Sequence, residues 1–364
     1  MPYPPDYGGV FDLFYKIKSL HTLGIRIHLH CFEFGRGRQP ELEKYCSEIH
    51  YYPRGKYFWL HFLRIPFIVS SRKTKRLLHQ LNENPAPVLL EGIHCTGYLA
   101  TRQLISGNIW VRLHNVEYEY YRRLSMSSHS LLKKIYFKYE GLRLKRYERQ
   151  LAKDARYLSV STADSELYKE QFHPRDIRYL PVFLPFKKVN GQAGMGDYCL
   201  YHGNLSVPEN EKAVELLLQQ VFDNSLMPFV IAGKNPGKRL EKLVREHPSA
   251  RLIANPAETE LNELIQKAHI HVLPVFNATG IKIKLLNALY NGRFVITDDA
   301  TIKETAISSL CIFANGAHQF REAIIAQSKI PFATADIELR RKVLTAEFDN
   351  EKNAIELIRL FETD

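Results

Sequence analysis

The chain has 364 residues, so two domains are expected, and its 45% apolar content suits a globular protein with a full core. No apolar run approaches the roughly 20 residues that span a bilayer. The start, Met1-Pro2-Tyr3-Pro4-Pro5, lacks the apolar centre of a signal peptide.

Five scattered cysteines, Cys31, Cys46, Cys95, Cys199 and Cys311, give neither a disulfide frame nor zinc spacing and suit reduced thiols in a cytoplasm. The net charge of +11 is one-sided. Residues 1–185 carry 29 Lys and Arg against 17 Asp and Glu, while the remaining residues carry 21 against 22. Such a field points to an anionic partner for the first half (lipid headgroups, a lipid phosphate or nucleic acid) or to a surface that is merely basic.

Pro4-Pro5-Asp6-Tyr7-Gly8-Gly9 is a tight glycine loop. Residues 10–23 follow as an amphipathic helix with Val10, Phe14, Ile17 and Leu20 or His21 on one side, closed by Gly24. Strands are predicted at 25–32, 88–90, 109–113 and 156–160, the last leading into a helix cap at Ser161. In doubly wound domains the first glycine loop follows a buried strand. Here adjacent prolines stand in its place, so a central strand upstream of Met1 is expected.

Residues 51–76 mix Tyr51, Tyr52, Tyr57, Phe58, Trp59, Phe62 and Phe67 with Arg54, Lys56, Arg64, Arg72, Lys73, Lys75 and Arg76. This composition fits either a membrane-surface segment or a core helix with cations at its rim. A long helix over 131–153 repeats Leu131, Ile135, Tyr139, Leu142, Arg146 and Arg149 at three- and four-residue intervals, an apolar seam running into a charged one. No recognition fold or zinc spacing for nucleic acid accompanies it.

Residues 179–196, with Pro181, Pro185, Gly191, Gly194 and Gly196, read as a linker. A second α/β series follows. It has strands at 197–205, 228–235, 251–254 and 269–274 and helices at 209–221 and 261–268. Then comes Asn277-Ala278-Thr279-Gly280-Ile281-Lys282-Ile283-Lys284, a glycine turn opening a helix that Gly292 stops, and a strand at 294–297. Free N–H groups and the positive end of a helix attract phosphate oxygens, and Lys282 and Lys284 add charge there. An amphipathic helix over 350–361 closes the chain.

Several of these places together resemble the GT-B glycosyltransferases, and specifically the retaining family 4 group, over almost the whole chain. They are the N-terminal glycine loop; Arg112-Leu113-His114-Asn115-Val116-Glu117; Ser159-Val160-Ser161 with Asp164; His202-Gly203-Asn204-Leu205; Ile231-Ala232-Gly233-Lys234-Asn235; Thr279-Gly280-Ile281-Lys282-Ile283-Lys284; and Ala288-Leu289-Tyr290-Asn291-Gly292.

The resemblance implies two Rossmann-like doubly wound α/β domains facing across a cleft. These would be an acceptor-binding domain over 1–185, a nucleotide-sugar-binding domain over 196–345, and a C-terminal helix over 346–364 returning to the first. It implies a metal-independent, cofactor-free transfer of a sugar from a nucleotide-diphosphate donor to a polysaccharide or lipid-linked acceptor, with retention. Such an enzyme would work in the cytoplasm or on the inner face of an anionic membrane, and nucleic acid is not expected as a partner.

In this reading His114 is the catalytic-site histidine. The substrate-binding set is Gly8, Gly9, Asn115, Gly203, Asn204, Lys234, Thr279, Gly280, Lys282, Lys284 and Asn287, with the N–H groups of Gly280 and Ile281 facing the leaving diphosphate. The family's two glutamates, eight positions apart, correspond to Thr279 and Asn287 here. That departure motivates an alternative, a GT-B scaffold without transfer activity. A nucleotide-sugar epimerase on the same plan would need a carboxylate acid–base pair that the sequence does not single out.

Overall fold

The structure is a computed structural model and describes all residues except 6–7, 34, 56–64, 84–85, 129, 224–226, 277–279, 281, 299–301, 303–304 and 363–364. The chain divides into two compact units: Met1–Pro185 with Thr279–Ile281 and Phe348–Asp364, and Phe186–Ala278 with Lys282–Glu347.

In the first unit, α1 (Gly8–Thr22) precedes two parallel strands, β1 (His28–Glu33) and β2 (Glu48–Pro53), that pair only with each other among the described residues. The short α2 (Phe67–Ser70) and α3 (Lys75–Glu83) lead to a four-stranded parallel sheet. Its order is β3 (Val88–Glu91), β4 (Ile109–Leu113), β5 (Arg156–Ser159) and β6 (Asp176–Tyr179). Three helices connect its strands: α4 (Glu117–Ser127), α5 (Leu131–Leu151) and α6 (Thr162–Phe172).

Every residue of β4 is buried, as a central parallel strand covered on both faces requires. Alternation sends Val111 and Leu113 into a core with Leu144, Tyr147, Tyr157 and Tyr168, and Trp110 to the opposite face. There Trp110 and Leu158 meet Ala354, Leu357 and Leu360 of the closing helix, Asn350–Glu362.

The carboxylates of α5 explain how this long helix is seated. Glu148 is fully buried and accepts the N–H groups of Glu117 (3.2 Å) and Tyr118 (3.0 Å), capping the start of α4. Glu140, also fully buried, accepts the N–H of Phe67 at 2.9 Å at the start of α2 and pairs with Arg143. The face of α5 turned inward therefore holds acids as well as Leu144, Tyr147 and Leu151. The seam of Leu131, Ile135, Tyr139 and Leu142 lies on the exposed side.

The second unit is one six-stranded parallel sheet. Its strands are β7 (Cys199–Asn204), β8 (Phe229–Lys234), β9 (Ala250–Ala254), β10 (Ile270–Val272), β11 (Phe294–Thr297) and β12 (Ile312–Phe313). Their order is β9-β8-β7-β10-β11-β12. Chain direction across the sheet reverses between β7 and β10, the doubly wound arrangement whose ligands lie beyond the carboxyl ends of the strands.

The crossovers are α7 (Pro208–Leu216), continued by a wider turn over Leu217–Val221, α8 (Lys238–Arg245), α9 (Glu258–Lys267) and α10 (Ile283–Asn291). They are followed by α11 (Ala317–Gln327) and α12 (Thr334–Glu347); the closing helix of the first unit is α13. Leu200, Val230, Ala232, Leu264, Ile265 and Ala268 make the core between sheet and helices. Among the described residues no helix is long and apolar enough to cross a membrane.

The sequence places a helix start immediately after Gly280; α10 begins at Ile283, with Lys282 in extended conformation as its cap. The stretch 51–76 also differs from its membrane-surface reading where it is described. Tyr52 is buried and bonded to His30 and Gln80, Arg54 stacks over Phe67 and bonds Ser71, and Arg76 lies over Tyr52. Tyr52, Arg54, Phe67 and Arg76 thus serve the first unit's own packing, while Lys75 is exposed. Tyr57, Phe58, Trp59, Phe62, Lys56 and Arg64 lie outside the described residues.

Candidate active site

In the first unit, charged side chains converge at the carboxyl ends of β3 and β4. Glu91 is the last residue of β3, Arg112 lies within β4, and His114 follows one residue past its end. Asp12 and Lys16, one helical turn apart, project from the otherwise apolar face of α1 and are both buried.

The Arg112 guanidinium bonds both oxygens of Asp12 (3.0 and 3.1 Å) and the carbonyls of Leu180 and Pro181 (2.6 and 2.9 Å). Asp12 also accepts the N–H of Phe183 at 2.9 Å. Lys16 Nζ bridges Asp12 (3.0 Å) and Glu91 (2.6 Å), and His114 Nε2 meets the other Glu91 oxygen at 2.9 Å. His114 Nδ1 is 3.8 Å from Asp12, beyond hydrogen-bond length.

Burial alone would push the Asp12 carboxyl up, but Arg112, Lys16 and His114 outweigh it and hold the group far below the usual carboxylate range. Glu91 is lowered by the same contest, burial against Lys16 and His114. Asp12, Glu91 and His114 offer ligand atoms within 4.8 Å of one another. The Lys16 ammonium lies between the two carboxylates, and together with the Arg112 guanidinium on Asp12 it balances their charge.

Asn115 and Gly280 stand beside His114. Gly280 has φ +66°, and a side-chain carbon added there would come within 2.7 Å of the His114 carbonyl and clash with Asn115 Oδ1. Its N–H donates to Asp164 Oδ2 at 2.8 Å, with Asp164 buried in the first turn of α6. The sequence reading has this N–H facing a diphosphate; a buried carboxylate takes it instead, because α6 brings Asp164 to within hydrogen-bond reach. Thr279 and Ile281 lie outside the described residues. Glu117, three residues past His114, is pushed up to about 7, by burial first and then by Asp164, with Arg72 opposing.

Gly8 and Gly9 open α1, and a side-chain carbon added at Gly9 would meet no atom within 4 Å.

In the second unit, Gly203 and Asn204 end β7, and Lys234 ends β8 with its side chain exposed. The two turns are pressed together: a side-chain carbon at Gly233 would clash with the Gly203 carbonyl and come within 2.8 Å of Leu205. Asn204 Oδ1 accepts from Ser206 N and Oγ at 3.1 and 2.8 Å, a local turn bond.

From α10, Lys284 reaches back to the centre of the sheet. Its Nζ donates to Tyr201 Oη and Asn210 Oδ1, both at 2.9 Å, and lies 4.7 Å from the Tyr201 ring centroid. Burial, then the neighbouring Lys282, lowers its pKa to about 7 against the pull of Glu209 and Asp298. Lys282 caps α10 and is partly buried. Asn287, one turn further, accepts from Asn291 Nδ2 at 2.8 Å. Asp298, after β11, accepts the N–H of Val275; Asp299 lies outside the described residues.

The structure therefore brings His114, Asn115 and Gly280 together in the first unit, and gathers Gly203, Asn204, Lys234, Lys282, Lys284 and Asn287 on the second-unit turns and α10. Asp12, Lys16, Glu91 and Tyr201 complete these groups and were not singled out from sequence. The available signal was an Asp and a Lys four apart on the apolar face of a helix.

Comparison with known proteins assigns the architecture first. The fold matches HepE of Anabaena, solved with UDP, at a TM-score of 0.66 and 10% identity over 99% of this chain and 97% of that one. It matches a glycosyltransferase from Rickettsia africae at 0.64 and 13% identity over 98% and 94%. TarM of Staphylococcus aureus is similar at 0.56 and 12% identity over 79% of this chain, which spans 57% of TarM's length. The chain has the fold of the GT-B glycosyltransferases.

Within it, residues 196–328 match the family model of the glycosyl transferases group 1, so the second unit carries a domain of that family. A relative at 27% identity, covering 94% of this chain and 89% of its own, is an uncharacterized 44.6 kDa protein in the cps region of Klebsiella pneumoniae. Family domain and fold together support sugar transfer.

Proposed function

We propose that the chain is a family 4-like, retaining glycosyltransferase. It would move a hexose from a nucleoside diphosphate donor to a glycan or lipid-linked acceptor without a metal or cofactor. The observation that carries this reading is Lys284, a lysine drawn into the carboxyl side of a doubly wound sheet and held there by Tyr201 and Asn210. An ammonium in that position offsets the negative charge that develops on a departing diphosphate. Lys282 adds charge beside it, Lys234 ends the neighbouring strand β8 level with Asn204, and the turns at Gly203 and Asn204 let backbone approach the donor.

Asn287 takes the place of a carboxylate toward the donor ribose and can both accept and donate. In the first unit, His114 hydrogen-bonds a hydroxyl of the transferred sugar, with Asn115 and Gly280 shaping its surroundings. Gly8 and Gly9 offer N–H groups to the acceptor.

The likeness to HepE, solved with UDP, makes UDP the first donor nucleotide to try. Thermal unfolding with UDP, GDP, ADP and dTDP tests the reading. At 100 times its dissociation constant, the matching nucleotide should stabilise by about 2.7 kcal/mol. That shift should shrink in Lys284→Met. Stabilisation by none of the four would favour the non-catalytic scaffold, for which the missing carboxylates at Thr279 and Asn287 are the motive.

A further inference from the structure

The seam on α5 is inverted relative to an ordinary surface helix. Its inward face carries Glu140 and Glu148, occupied as caps for α2 and α4. Its outward face carries Leu131, Leu132, Ile135, Tyr139 and Leu142 at 74, 81, 67, 54 and 63% exposure. Met126, near the end of α4, adds a further side chain at 69%. Scattered exposed apolar residues are ordinary, but a run of them along one face of one helix marks an interaction surface.

The charge around it is of one sign. Residues 120–153 hold ten Lys and Arg and only two acids, Glu140 and Glu148, both fully buried. Lys133, Lys138, Arg146 and Arg149 are exposed on the same helix, so the apolar seam runs between and into cations with no exposed carboxylate on α5. An apolar stripe edged by cations is the pattern of a helix lying in the headgroup region of an anionic bilayer. There the aliphatic side chains enter the acyl boundary while Lys and Arg meet lipid phosphates.

We propose that the exposed face of α5, with the adjoining end of α4, is a docking surface for anionic lipid membranes. The inference does not depend on the transfer reading, because membrane binding is measured without donor or acceptor.

Co-sedimentation of the full chain with vesicles tests it. Vesicles of phosphatidylcholine with 30 mol% phosphatidylglycerol should pellet the protein, and pure phosphatidylcholine vesicles should pellet at least tenfold less. Lys138→Glu with Arg146→Glu should lower partitioning at least tenfold, as should Leu132→Asp with Leu142→Asp, and 0.5 M salt should weaken binding by the wild type. Because all four residues are exposed, the unfolding temperature should hold, and circular dichroism verifies that each variant is folded.

Three results would overturn the proposal. They are no pelleting with either vesicle, equal pelleting with neutral vesicles, or a concentration-dependent dimer in light scattering that the two leucine substitutions abolish. The last would assign the seam to a second copy of this chain.

Discussion

The two units bury charge in opposite ways. In the first, Asp12, Lys16, Glu91 and Arg112 neutralise one another through contacts of 2.6 to 3.1 Å, and His114 is attached to the edge of that lattice through Glu91. Each charge has a counter-charge, so the carboxyls are driven down despite burial. In the second, Lys284 gives its hydrogen bonds to the neutral oxygens of Tyr201 and Asn210, and burial lowers its pKa to about 7. A saturated charge cluster is a scaffold that fixes a neighbouring histidine. A partly buried cation held by neutral oxygens is an incomplete ion pair, which an arriving anion can complete.

The sharpest way to break the contrast is to remove one member of the closed cluster. Asp12→Asn leaves Arg112, fully buried, without its carboxylate. Stranding one partner of a buried pair costs about 3–5 kcal/mol, and denaturant unfolding should read a loss of that order. Lys284→Met strands no counter-charge and should cost far less. If the two substitutions proved equally damaging, the distinction between saturated and unsaturated burial would be lost.

His114 should separate from the cluster that holds it. Its side chain is 16% exposed and touches the network only at Glu91 within hydrogen-bond length. His114→Ala should therefore leave thermal stability nearly unchanged, while lowering kcat of sugar transfer about 10²-fold, roughly 2.7 kcal/mol of barrier. A variant that lost stability in proportion to activity would make His114 another scaffold member.

Sequence pattern was enough to place the strands around both groups, because β4 and β8 are short, mostly apolar runs of the kind buried parallel strands require, and β7 opens on one, Cys199 to Tyr201, before its glycine turn. It could not close the cluster. Asp12 meets Arg112 from 100 positions away, and nothing local to either residue announces the other. The Gly280 turn shows the same limit. Its glycine is legible as a turn signal, but its N–H is claimed by Asp164, 116 residues distant. On α5 the period was legible and the direction was not. Which face turns inward was decided by Glu140 and Glu148 finding the helix starts at Phe67 and Glu117, and those starts come from other parts of the chain.

The smallest effect tests the open half of the comparison most directly. Lys284 has a folded-state pKa of about 7, below the 10.5 of a free lysine side chain. Between those two values the unfolded chain binds a proton that the folded chain does not. Stability should then rise with pH through this window, by at most about 1.4 kcal/mol per pH unit for a single group. Glu117, shifted up to about 7, acts in the opposite sense, but mainly between its ordinary range and 7, below the window that matters here.

Unfolding free energies at pH 7.5 and 8.5 for wild type and Lys284→Met isolate the lysine, since every other group is common to both. The slope should be steeper in the wild type. A diphosphate bound beside Nζ should restore the ammonium, so nucleotide binding near pH 8 should take up a proton. Calorimetry in buffers of different ionisation enthalpy would register that uptake. Equal slopes in the two proteins, with no proton uptake on binding, would mean that Lys284 keeps its charge without an anion.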